Sequence, residues 1–150
     1  MTETWILFRW SMAGKHFYPD HPTLGRPHVH NFGFTVQIKE VGDRDIEFLV
    51  FREKLVREFA NRFEYDNMGN FTVHKELIRP PFSSRIYDFG PRSCETLAKI
   101  VAKCLYSIQV STVTEFLIHV SETDEDAGIV YKGKLSDALT DYEVLNEDLK

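Results

Sequence analysis

The stretch HVHNFGFTVQIKEV, His28 to Val41, alternates apolar and polar residues almost without error. His28, His30, Phe32, Phe34, Val36 and Ile38 fall on one face, and Val29, Asn31, Gly33, Thr35, Gln37 and Lys39 on the other. Successive side chains of a strand point to opposite sides, so this period predicts a β-strand with one face turned to a core. His28 and His30 open that inward face, and their imidazoles point the same way about 6–7 Å apart along the backbone.

Upstream, residues 4–12, TWILFRWSM, are rich in the aromatic and branched residues that suit a half-buried pleated surface, and predict a second strand. Pro19, Asp20, Pro22, Gly25 and Pro27 punctuate the loop between the two strands. Downstream, after a turn at Gly42-Asp43, Phe48, Phe51, Leu55, Phe59 and Phe63 recur at spacings of three and four among charged residues. That is the pattern of an amphipathic helix. The middle segment to Pro91 carries Asn, Gly and Pro breakers around a short extended piece at residues 85–89.

Ser93 is placed to cap a second helix, with Glu95 in the first turn where the dipole favours an anion. Leu97, Val101, Cys104, Leu105 and Ile108 form its apolar stripe. Residues 115–121 form a further strand, with Phe116, Ile118 and Val120 on one face and Glu122 continuing that parity. Residues 127–131 return as its hairpin partner. The order predicts a single α+β domain over residues 1–150, an antiparallel sheet covered on one side by helices.

Composition narrows the function classes. The chain of 150 residues is 43% hydrophobic and 27% charged, which excludes a disordered chain or a repeat array. A net charge of -5 without a basic run gives duplex nucleic acid no footprint, so no nucleic-acid partner is expected. Every apolar stretch falls short of the roughly 20 residues needed to span a bilayer, and the N-terminus has no signal-peptide pattern. No membrane partner and a cytoplasmic location are the expectation. Cys94 and Cys104 lie ten positions apart on one helix, a poor disulfide geometry, and read as two free thiols.

Four of the six histidines, His16, His21, His28 and His30, fall within 15 residues. With His16 in the loop that ends the first strand, three neutral imidazoles can hold Zn²⁺ and leave a fourth position open. A His-x-His pair alone equally suits two polar residues at a strand end; the clustering favours the metal.

Taken together, these residues resemble the 6-pyruvoyl tetrahydropterin synthases and the bacterial 6-carboxy-tetrahydropterin synthases over most of the chain. In that family a first His follows the first strand and a His-x-His-aromatic motif opens the second. A helix ends in Asp-His, a small hydroxyl residue with Glu starts the second helix, and a strand ends in Glu-Thr. The counterparts here are AGKHF with His16, HVHNF with His28 and His30, EYDN with Asp66, SCETLA with Ser93 and Cys94, and HVSET with Glu122 and Thr123.

The resemblance implies the tunnel fold, a four-stranded antiparallel sheet with two helices on one face, assembling into an oligomeric barrel as a trimer or hexamer. It implies zinc on His16, His28 and His30 and a dihydropterin ligand of the 7,8-dihydroneopterin triphosphate type. Glu122 takes the role of ring anchor: an ionised carboxylate accepts the adjacent 2-amino and N3–H donors of a pterin as a fork. Ser93, Cys94 and Thr123 then meet the rest of the pterin edge. Lys15, Arg26 and Arg9 lie near enough in sequence to meet a triphosphate.

Two departures stand beside these matches. The family's basic Cys, four residues before the His-x-His motif, is Leu24 here, and the His after the family's Asp is Asn67. Neither replacement titrates. The proton-transfer candidates that remain are Asp66, His21, His74 and Cys94, the last at a helix N-terminus where a thiol pKa is lowered. The expected function is a zinc-binding lyase with non-standard proton-transfer residues, or alternatively a catalytically inactive pterin- or purine-binding homologue.

Overall fold

The structure, a computed structural model, describes residues 2–40, 47–67, 85–108, 113–123 and 126–138. Among the described residues, six strands and two helices follow one another as β1 (Trp5–His16), β2 (His28–Glu40), α1 (Phe48–Ala60), β3 (Tyr65–Asn67), β4 (Arg85–Gly90), α2 (Cys94–Ser107), β5 (Val113–Glu122) and β6 (Ala127–Lys134), with residues 135–138 helical after β6. They form one mixed sheet in the order β3-β4-β1-β2-β5-β6. The α+β class and the covering helices agree with the sequence, but the sheet has six strands rather than four and is not wholly antiparallel. β4 runs parallel to the last residues of β1, Ala13 to His16, and β3 pairs antiparallel with β4. Both extra strands come from the breaker-rich middle segment: β4 is the extended piece read at residues 85–89, while β3, three residues long, has too few positions to show a period. The Gly42-Asp43 turn, Pro80 and Pro81 lie outside the described residues.

The inward face of β2 behaves as its alternation demands: Phe32, Phe34, Val36 and Ile38 are buried. Phe8, Trp10 and Met12 of β1 and Phe116, Ile118 and Val120 of β5 continue the same layer. Antiparallel register sets Trp10 opposite Phe34, and their rings stack with centroids 4.9 Å apart. Helix α1 lays Phe51, Leu55 and Phe59 on this layer, and Phe59 meets both Trp10 and Phe34 edge-on. Full burial of a side chain such as Phe59 contributes about 1.5–3 kcal/mol. Phe48 is half exposed, and Phe63, beyond the end of α1, packs on Phe89 of β4. Helix α2 is capped as its sequence implies, Ser93 Oγ accepting the Thr96 N–H at 3.3 Å with Glu95 in the first turn. Cys94 and Cys104 are both free and buried.

β1 runs four residues past its expected end, and this extension builds the site. Ala13 and Gly14 have weak strand propensity, but pairing with β2 on one side and β4 on the other overrides it. Gly14 is needed there because a Cβ would stand 2.2 Å from the Phe89 ring. His16 is thereby carried on a strand, not in a loop, and sits directly opposite His28. Among the described residues no helix is long and apolar enough to cross a membrane.

Candidate metal centre

Three strand ends meet at the top of the sheet. His16 closes β1, His28 and His30 open β2, and Glu122 closes β5, opposite Phe32. One nitrogen from each of His16, His28 and His30 lies within 4.8 Å of the others. The three rings pack edge to face, with centroids 4.6, 5.2 and 4.9 Å apart. Parity along β2 and register between β1 and β2 produce this convergence without any special backbone.

The tautomers are set from behind. His16 Nδ1 lies 2.9 Å from the Arg92 carbonyl and His28 Nδ1 2.8 Å from the Arg26 carbonyl. A carbonyl only accepts, so each Nδ1 carries the proton and each Nε2 turns a lone pair inward. Both Nε2 atoms are buried without a hydrogen-bond partner. A buried polar atom left unpaired costs about 1–3 kcal/mol, and an imidazole oriented by a carbonyl behind it is the arrangement of a metal ligand. The donor set fits a divalent metal of the zinc type. Burial holds the His16 imidazole below its ordinary pKa, against the opposing pull of the Arg92 carbonyl.

Glu122 reaches into the same space. Its carboxylate oxygens lie 3.4 Å from His16 Nε2 and 3.6 Å from His30 Nε2, and the Tyr18 phenol donates to Oε1 at 3.4 Å. Burial, followed by the Glu122 charge, pushes the Tyr18 hydroxyl up to about 12. Sequence reasoning missed Tyr18. The available signal was its position two residues after His16, the interval that returns a strand side chain to the same face.

The remaining candidates are placed as follows. Thr123 donates both its backbone N–H and its hydroxyl to the Asn31 carbonyl, each at 2.8 Å, and Ser93 is engaged as a helix cap. His21 is exposed, and its Nδ1 accepts the Leu24 and Thr23 backbone N–H groups at 2.8 and 3.2 Å, which folds the loop locally. Asp66 pairs through its backbone with Ile86, Asn67 with Arg85, and His74 lies outside the described residues. Cys94 departs from expectation. Burial, then the Glu122 charge, raises its thiol to about 12, outweighing the helix N-terminus that was expected to lower it. Lys15 stands 4.0 Å from Asp88, while Arg9 and Arg26 are exposed.

No family model matches the sequence, and no curated protein matches it. Solved structures do. The chain superposes on 6-pyruvoyl tetrahydropterin synthase from Plasmodium falciparum with a TM-score of 0.57 at 15% identity, covering 89% of this chain and 99% of that one. A catalytic-residue mutant of the Plasmodium vivax enzyme gives 0.58 at 15% identity over the same shares. An uncharacterized protein of Wolinella succinogenes gives 0.52 at 13% identity, covering 87% and 98%. At such identities the likeness is one of fold: this chain has the fold of the 6-pyruvoyl tetrahydropterin synthases over most of its length.

Proposed function

We propose that the chain is a zinc protein similar to 6-pyruvoyl tetrahydropterin synthase, which binds a dihydropterin of the 7,8-dihydroneopterin triphosphate type and acts on it as a lyase. The observation that carries this reading is the set of three converging imidazoles, two with buried, unpartnered Nε2 atoms, on a fold shared with those enzymes. His16, His28 and His30 hold the metal. Zinc there supplies a Lewis acid that polarises side-chain hydroxyls and acidifies a neighbouring C–H.

The chain's own residues orient the substrate and move its protons. Glu122 accepts the 2-amino and N3–H donors of the ring, and Ser93, Cys94 and Thr123 border its edge. Cys94, with its thiol at about 12, is protonated at neutral pH and serves as a donor rather than a base. Asp66, His21 and His74 are the candidates that accept the C–H proton as the bond to triphosphate breaks.

A second reading, a catalytically inactive pterin- or purine-binding homologue, is favoured by one observation: Leu24 and Asn67 replace both titrating groups that the family uses. Mass spectrometry of products separates the two. Zinc-loaded protein incubated with 7,8-dihydroneopterin triphosphate releases triphosphate or shortens the side chain under the first reading, and His28→Ala abolishes this. Unchanged substrate in both samples supports the second reading.

Assembly and location belong to the same proposal. Among the described residues, β1 has no strand beside Trp5 to Met12 on the side away from β2, and β6 forms the far edge of the sheet. Open edges of this length favour closure by further copies, as a trimer or hexamer in the cytoplasm.

A further inference from the structure

We infer that Glu122 is the fourth ligand of the metal in the ligand-free protein, and that an incoming ligand must draw this carboxylate off the metal to bind. The inference rests on the reading of His16, His28 and His30 as a metal centre and adds a group that closes it.

Three observations meet here. First, the carboxylate stands from two of the three imidazoles at the separation of ligands around one ion. Metal–ligand bonds of about 2.0–2.2 Å at tetrahedral angles place neighbouring donor atoms about 3.3–3.6 Å apart. Glu122 Oε1 and His16 Nε2 are 3.4 Å apart, and Oε2 and His30 Nε2 3.6 Å.

Second, the electrostatics call for a cation. The Arg92 carbonyl fixes the proton of His16 on Nδ1, so its Nε2 lone pair faces a carboxylate, and the Nε2 of His28 lies buried beside them without a partner. Lone pairs and a negative charge crowded in one low-dielectric space repel one another, and a cation between them turns each contact into an attraction.

Third, the carboxylate is held there. Glu122 ends β5, locked between β2 and β6 by its register to Phe32 and Ala127, and the Tyr18 phenol donates to Oε1. Its side chain is only 16% exposed. The same two oxygens cannot accept a ring's fork of donors while turned to the metal, so ring binding and metal ligation compete. The protein thus keeps its open coordination position covered until a ligand with two adjacent donors arrives.

The test uses the full chain and Co²⁺ alone, followed by its visible d–d spectrum and by chelator competition, for wild type, Glu122→Gln, Glu122→Asp and His28→Ala. Glu122→Gln keeps the shape, and Glu122→Asp keeps the charge but withdraws it by one methylene. The inference predicts that both glutamate variants, folded by circular dichroism, bind Co²⁺ on the order of 10–100-fold more weakly, with an altered spectrum. It also predicts that 7,8-dihydroneopterin shifts the wild-type spectrum toward that of Glu122→Gln. Wild-type affinity and spectrum in both glutamate variants overturn the inference alone and leave the three-histidine centre intact. Failure of the wild type to bind Co²⁺, or binding that His28→Ala does not change, brings down the metal centre and the inference with it.

Discussion

His16 Nδ1 donates to the main-chain carbonyl of Arg92 at 2.9 Å, across 76 residues of sequence, so that the loop entering α2 holds a ring carried on β1. This one bond decides which nitrogen faces the site. Burial, against the pull of this bond, is what keeps the ring neutral in a place from which solvent is excluded.

A pH dependence follows. Burial lowers the folded-state pKa of His16 below its ordinary 6.5. The unfolded chain therefore takes up a proton near that value while the folded chain does not, and the unfolded state binds more protons as the pH falls below it. The contribution of His16 to the stability of the metal-free protein is present above pH 6.5 and is lost on acidification toward the folded pKa. Urea midpoints should fall over that window, and His16→Gln should flatten the slope; a midpoint independent of pH contradicts the assignment.

Tyr18 positions Glu122 through a long hydrogen bond of 3.4 Å. A net hydrogen bond contributes about 0.5–1.5 kcal/mol, so Tyr18→Phe should weaken metal binding roughly 2- to 12-fold while leaving the fold intact. Chelator competition reads the change. A loss as large as that of His28→Ala would mean that the phenol itself is a ligand.

Close packing at Gly14 gives a stability prediction. Its hydrogen faces the Phe89 ring, where a Cβ would stand 2.2 Å from Cε2. Because Phe89 is fully buried against Phe32, Phe59 and Phe63, it has nowhere to retreat. Gly14→Ala should cost about 1–3 kcal/mol by overpacking, read as a lowered urea midpoint at unchanged slope. An unaltered midpoint would show that β4 is free to shift away from β1.

Cys94 should be inert. With its thiol pushed up to about 12, iodoacetamide should modify the folded protein far more slowly than the unfolded one at neutral pH. Rapid modification of Cys94 in the native state would restore it as a nucleophile or base.

How far the sequence carried the structure differs from element to element, for physical reasons. β2 was legible because its inward face is a strict alternation, and α2 because Ser93 caps it and its apolar stripe has helical period. The site histidines of β2 followed from parity alone. The full reach of β1 was not legible, because Ala13 and Gly14 owe their extended state to neighbours on both sides rather than to their own propensity. β3 escaped for a related reason, since a strand of three residues has too few positions to display a period, whereas the extended piece read at residues 85–89 is β4. The Arg92 carbonyl has no side-chain signature at all, and Glu122 was recognised by family motif and strand parity while its approach to His16 depends on the packing of β5 against β2.

The central claim is that these three imidazoles hold a metal, and zinc content per chain tests it most directly. Protein loaded with zinc, dialysed and measured by elemental analysis should retain one ion per chain in the wild type and essentially none in His28→Ala. Absence of zinc from the wild type, or equal retention by the variant, contradicts the account.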